Sequence, residues 1–191
     1  MLHLMGGLRD AGVTGALACV PGSEVAVAAR DAGFAVHTPR LGGDLDVLAL
    51  PRLRRLIRAL GPDLVHVHSR RGAPLYGLLA AGSVGVPAVL SRRVDNPPST
   101  LDRWLLNGPH CARVICISDA IAEVLARAGI RPDRLRRVAS AVAPAPPLAD
   151  AAATLRTRFG LAASARVLGV AAQLIPRKGQ ADLIAALPAI R

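Results

Sequence analysis

Residues 113–139 read RVICISDAIAEVLARAGIRPDRLRRVA, and this stretch sets the fold class. Val114-Ile115-Cys116-Ile117 is a short unbroken apolar run, the pattern of a strand covered on both faces. Ser118-Asp119 opens a helix over 118–128: serine is a good N-cap, and an acidic residue in the first turn suits the helix dipole. The helix closes on Gly129, a residue that takes the left-handed cap conformation without steric cost. A second strand follows at 135–139. A strand–helix–strand unit of this length argues for parallel pairing through a crossover.

The same helix–glycine–strand transition recurs upstream. Arg9-Asp10-Ala11-Gly12 leads into a strand at 14–20, and Arg30-Asp31-Ala32-Gly33 into one at 34–38. The spacing predicts helices at 1–11, 23–32, 46–60 and 72–83, with strands at 63–68 and 87–91 and a short helix before 110. Asp46 is the candidate N-cap of the third helix, and Pro51 falls in its first turn. The uncharged run 72–91 has the length of a membrane span. Pro74 and Pro87, with Gly77, Gly82 and Gly85, make it instead a buried helix, a turn and a buried strand. The fold class is therefore α/β: a Rossmann-like open parallel sheet with helices on both sides. The Pro/Ala-rich run at 141–150 reads as a linker, dividing a domain at 1–140 from a short unit at 151–191. That unit has a helix at 151–159, a strand at 166–171 and a helix at 179–190, too few elements to bury a core. A doubly wound sheet opens on a central strand followed by its helix. This sequence opens on a helix, so the first strand is expected to be missing and the chain to be cut at both ends.

Hydrophobic residues make up 52% of the 191 and charged ones 19%, which excludes general disorder. The aromatics are Phe34, Tyr76, Trp104 and Phe159, too few for a base-stacking nucleic-acid platform. Basic residues number 24 against 13 acidic, for a net charge of +11. All but one are arginine, the exception being Lys178. That balance points to an anionic partner, whether nucleic acid, an anionic membrane or a phosphate-bearing substrate, although an Ala- and Arg-rich genome gives much of it without any function. Cys19, Cys111 and Cys116 form no C-x-x-C, so no metal site is read and reduced cytosolic thiols fit best. His3 and Arg9-Asp10 interrupt the apolar start, so no signal peptide is expected. Without G-x-G-x-x-G or a nucleophile elbow, a nicotinamide dehydrogenase and a serine hydrolase are unsupported.

Four segments carry candidate chemistry. In Pro62-Asp63-Leu64-Val65-His66-Val67-His68-Ser69-Arg70-Arg71-Gly72 the two histidines lie two apart on a strand and point to one face. His68 stands at the carboxyl end, where open α/β sheets bind ligands. Spacing alone favours a polar strand end with solvated histidines; the functional reading is an imidazole acting on a hydroxyl. Ala172-Gln173-Leu174-Ile175-Pro176-Arg177-Lys178-Gly179 precedes a helix and suits a phosphate, yet Pro-Arg-Lys-Gly is also an ordinary turn. Ser91-Arg92-Arg93 follows a buried strand, where paired arginines suit an anionic acceptor or simply a solvated loop. Arg52, Arg54, Arg55 and Arg58 decorate one helix, a solvated face or one that meets anionic lipid.

Together these pieces resemble the GT-B glycosyltransferases of family 4, nucleotide-sugar-dependent enzymes of bacterial envelope and polysaccharide synthesis. Pro62 to His68 is similar to that family's PDxVHxH strand, Arg113 to Ile121 to its RVIAxSEAI strand–helix, and Gly169 to Gly179 to its GRLxPxKG loop. The resemblance implies two Rossmann-like domains around a cleft, retaining transfer, an acceptor held by the first domain and a nucleotide-sugar held by the second. It implies no cofactor. By it, His68 would be catalytic, His66, Arg92, Arg93 and Ser118 would meet the acceptor, and Lys178 and Gln173 would stand at the donor diphosphate. An arginine of the family pattern falls at Gln173, which removes one charge partner. The family's E-x7-E segment and its first glycine-rich loop have no counterpart here, so the chain alone is expected to be inactive. The partners implied are a nucleotide-sugar and a glycan or lipid-linked acceptor, with no nucleic acid. The place implied is the cytoplasm, peripheral to the inner face of the membrane. The alternative reading is a non-catalytic module that binds anionic glycan, lipid headgroups or nucleic acid.

Overall fold

A computed structural model describes residues 1–42, 46–68, 73–142, 144 and 149–190. Ser69 to Gly72, and residues 143 and 145–148 of the expected linker, lie outside the described residues. The chain divides into two compact units, residues 1–143 and 144–191.

In the first unit helices and strands alternate: α1 (Leu2–Asp10), β1 (Ala16–Ala18), α2 (Glu24–Asp31), β2 (Ala35–His37), α3 (Ala49–Leu60), β3 (Val65–Val67), α4 (Ala73–Gly82), β4 (Ala88–Arg92), α5 (Thr100–Asn107), β5 (Arg113–Cys116), α6 (Asp119–Arg127) and β6 (Leu135–Arg137). Every strand pairing is parallel. Four strands join in the order β3-β4-β5-β6, and β1 pairs with β2 as a separate ribbon. Consecutive strands that are neighbours in space, each joined by a helix, are the simplest outcome of right-handed crossovers. Helices α1, α2 and α6 are followed by glycines with positive φ, Gly12 (80°), Gly33 (77°) and Gly129 (89°), the recurrence seen in the sequence, and α3 likewise ends on Gly61 (56°).

The core lies under the larger sheet. Val67, Leu90, Val114 and Cys116 point to one face and are nearly or wholly buried. Leu78 of α4, Leu105 and Leu106 of α5, and Ile121 and Leu125 of α6 pack there. The cluster contains no aromatic residue, only Ala, Val, Leu, Ile and Cys. A Cβ on Gly77 would lie 3.1 Å from Val67 Cγ2, so a glycine is what lets α4 approach β3 this closely. Ser99 caps α5 through a reciprocal box with Asp102, a local signal that fixes where the helix begins.

Three expectations change. Asp46 does not cap α3: that helix begins at Ala49, and its N-cap Leu48 has no side-chain hydrogen bond. The Asp46 carboxylate instead accepts from the Gly42 and Leu48 amides and pairs with Arg52 at 3.0 Å, so it ties the preceding turn to the helix. Residues 166–171 form no strand. A strand needs a ladder partner to satisfy its backbone, and among the described residues the second unit has only α7 (Ala151–Phe159), a 3-10 turn at Pro176–Lys178 and α8 (Gln180–Ile190). Val167, Leu168 and Val170 are correspondingly exposed. The apolar strands also do not run buried on both faces: β4 and β5 alternate between buried and more exposed positions, and in β3 only Val67 is buried. Among the described residues no helix is long and apolar enough to cross a membrane.

Amide protection is expected to follow this arrangement. β5 has partners on both sides and two wholly buried side chains, so its amides exchange slowest. β1 has one partner and one buried residue, and 166–171 has no ladder, so both exchange early. Hydrogen exchange read by mass spectrometry checks the order; equal protection of 16–18, 113–116 and 166–171 would contradict it.

Candidate functional site

Parallel strands bring all their carboxyl ends to one edge. In the register of the sheet Val67 faces Leu90, and Arg92 faces Cys116. His68 just past β3, Ser91 and Arg92 at the end of β4 with Arg93 beyond, and Ser118 just past β5 therefore share that edge. The alternation decides which side chains meet. His66 lies opposite Val89, so His66, His68 and Ser91 project from the face away from the buried core.

The two imidazoles lie against each other with ring centroids 3.8 Å apart and planes tilted by 33°. His66 Nε2 is 2.8 Å from Ser91 Oγ, which fixes the orientation of the inner ring. His68 Nδ1 is buried and has no hydrogen-bond partner among the described residues. Burial, then the neighbouring His66, then Arg93 and the N-terminal ammonium push the His68 pKa down to about 4. Burial and Arg93 also lower that of His66. Each cause disfavours the charged form. Near neutral pH both rings are uncharged, so each carries one N–H donor and one acceptor nitrogen.

The arginines at this edge differ. Arg92 donates through Nη2 to the Asn96 carbonyl at 2.6 Å, and its Nε is buried without a partner among the described residues. Arg93 is exposed and reaches the histidines through its field alone. Ser118 Oγ accepts the Ile121 amide at 3.3 Å and caps α6, the simpler of its sequence readings. Its hydroxyl hydrogen remains a donor. Cys116 belongs to the core, with burial raising its thiol pKa. Beside β1 and β2 a shallow depression of about 540 Å³ is lined by Arg40, Leu41 and Asp46 among others. Among the described residues no three His, Cys, Asp or Glu side chains gather as a metal site.

Gln173 and Lys178 belong to the second unit. Lys178 lies in the 3-10 turn Pro176–Lys178, and Gly179 follows with φ 70°. The Gln173 carbonyl accepts from Gln180 Nε2 at 2.8 Å, and the Lys178 amide donates to Ile175 at 2.9 Å. The loop is thus folded against the start of α8, with the lysine at the helix N-terminus.

Ser91 is the site residue that sequence reasoning passed over as a candidate. The signal was present: residues 89 and 91 share a face by strand periodicity. Only the β3–β4 register shows that it is the face of His66.

Three solved structures share this fold. A glycosyltransferase from Rickettsia africae superposes with a TM-score of 0.85 at 15% identity, over 100% of this chain and 52% of that one. Anabaena Alr3699/HepE, in complex with UDP and glucose, gives 0.72 at 21% identity, over 91% and 50%. Acinetobacter baumannii MurG gives 0.57 at 14%, over 75% and 41%. These identities speak for the fold, and the chain spans about half the length of the first two. No curated protein matches it in sequence. Residues 1–145 match the model of Glycosyltransferase Family 4, and the chain accordingly belongs to that family and has the Rossmann-like fold of a GT-B domain.

Proposed function

We propose that this chain is the acceptor-side part of a retaining glycosyltransferase that moves a sugar from a nucleotide-sugar to a glycan or lipid-linked acceptor of the cell envelope. The observation that carries this reading is the close, uncharged His66–His68 pair, whose outer ring holds a buried nitrogen without a partner among the described residues. A neutral imidazole held at the carboxyl edge of a parallel sheet suits a hydrogen bond to a sugar hydroxyl. Such a bond strengthens as charge develops at the reacting carbon. In the transfer, the bond from the anomeric carbon to the diphosphate breaks and the diphosphate leaves with the electron pair. The acceptor oxygen forms the new glycosidic bond and gives up its proton to the departing diphosphate. The complex of Alr3699/HepE with UDP-glucose supports a nucleotide-sugar as donor.

The remaining candidates take roles consistent with their surroundings. Arg92 and Arg93 attract an anionic acceptor, and the Ser118 hydroxyl donates to it. Lys178 at the start of α8 meets the donor diphosphate, while Gln173 offers an uncharged contact there. The domain at 1–140 holds the acceptor, the run at 141–150 is a linker, and 151–191 begins the donor-binding part. The enzyme works in the cytoplasm at the inner face of an anionic membrane. This chain by itself releases no nucleotide from a panel of nucleotide-sugars, and sustained release above buffer would refute that.

Three measurements test the reading, the kinetic ones in the polypeptide as the cell makes it. His68→Ala lowers kcat far more than it raises the acceptor KM, because the interaction is made in the transition state. A change in KM alone would make His68 a binding residue. Lys178→Ala weakens binding of the nucleoside diphosphate by roughly ten- to hundredfold, the worth of a charge-assisted contact of about 1.5–3 kcal/mol. Calorimetric titration reads it, and unchanged affinity would return the loop to an ordinary turn. In the chain itself, NMR titration of His68 stays on the neutral form until pH approaches about 4. The sign for stability follows: the unfolded histidine protonates near its usual value while the folded one does not. The contribution of His68 is therefore full above about pH 6.5 and is lost as pH falls toward about 4.

A further inference from the structure

One helix carries a charge arrangement that the transfer site does not use. On α3, Ile57 is buried, and Leu50 and Leu53 pack against the core. Pro51, Arg54, Arg55 and Arg58 are exposed, and their i, i+3, i+4, i+7 spacing puts them on one face. They line a shallow groove of about 280 Å³. Arg52, at the margin, is bound to Asp46 and to the Arg40 carbonyl. Arg54, Arg55 and Arg58 have no ion pair among the described residues, and α3 holds no acidic residue. Val47, 74% exposed, and Leu48, 55% exposed, stand in the turn just before this face.

We infer that this face of α3 is a docking surface for an anionic phospholipid bilayer. Three uncompensated guanidiniums on one helical face complement a sheet of phosphate diesters, and each can fork two donors onto a phosphate. The apolar side of α3 is consumed by the core, so the helix does not insert; attraction is electrostatic, with Val47 and Leu48 as the apolar contact. Nucleic acid is disfavoured as the occupant because no aromatic residue lies on α3 or in the turn before it to stack a base. The inference rests on the membrane-acceptor reading above, and its test needs no sugar transfer, so that binding and transfer fail separately.

The test is co-flotation of the whole chain with phosphatidylcholine vesicles, with and without phosphatidylglycerol. Binding is expected only to the anionic vesicles and is expected to weaken with added salt. The triple variant Arg54→Ala, Arg55→Ala, Arg58→Ala lowers the partition coefficient by roughly fivefold per arginine, on the order of a hundredfold in all. A control triple, Arg30→Ala, Arg127→Ala, Arg136→Ala, removes the same charge from exposed positions elsewhere and changes it several-fold at most. The lysine triple at 54, 55 and 58 keeps most of the binding. Equal loss in both alanine triples would reduce the effect to net charge and overturn the inference. So would equal binding to pure phosphatidylcholine, or a single-stranded oligonucleotide that binds more tightly than the vesicles and is lost with the same α3 triple.

Discussion

The period-two alternation of β3, β4 and β5 is the constraint on which the rest depends. On one face Val67, Leu90, Val114 and Cys116 are sealed by α4, α5 and α6. Complete burial of such a side chain stabilises by about 1.5–3 kcal/mol. Because successive residues must point to opposite faces, anchoring Val67 in the core commits His66 and His68 to the other side. A one-residue slip of β3 would bury two imidazoles and expose two valines, so the packing energy of the core also positions the site. Gly77 belongs to the same argument. It lets α4 close on Val67, the residue between the two histidines.

The other face gives the histidines their chemistry. It is only partly covered, enough to strip water from the rings and too little to exclude a ligand. Burial is the leading cause of the depressed pKa values of both rings, with positive neighbours second. A strand end fully in solvent would leave each pKa near its ordinary value. A strand end fully buried would require every ring nitrogen to be bonded. The half-buried edge leaves the inner ring tied to Ser91 and the outer one with Nδ1 unpaired.

Much of this was legible in the sequence, for identifiable reasons. The α/β alternation shows because α1, α2, α3 and α6 run into glycines with positive φ that no other residue replaces cheaply, and because the apolar runs are short. The role of Ser118 as a cap shows because capping is local. What failed was non-local. Asp46 has the right chemistry for a cap, but Arg52 and the Gly42 amide compete for its carboxylate. The run at 166–171 has the composition of a strand, but a strand exists only beside another, and the second unit supplies none among the described residues. Ser91 could not be joined to His66 without the register between two strands that lie 25 positions apart at that contact.

The arginine excess separates by the same logic of partners. Some guanidiniums are structural. Arg9 donates to the Ala32 carbonyl and lies over Phe34; Arg134 donates to the Cys111 carbonyl; Arg131 pairs with Asp133 while its amide donates to Asn107. Arg137 reaches back to Asp119 at the start of α6. Each of these ties two segments of chain, and there charge serves geometry. Arg54, Arg55 and Arg58 on α3 form no ion pair among the described residues. Like charges three and four apart on a helix repel, so their grouping costs the helix stability rather than adding to it. A face held together against its own repulsion, on a helix whose opposite side is fixed by the core, is charge that the fold does not use and that an anionic surface would.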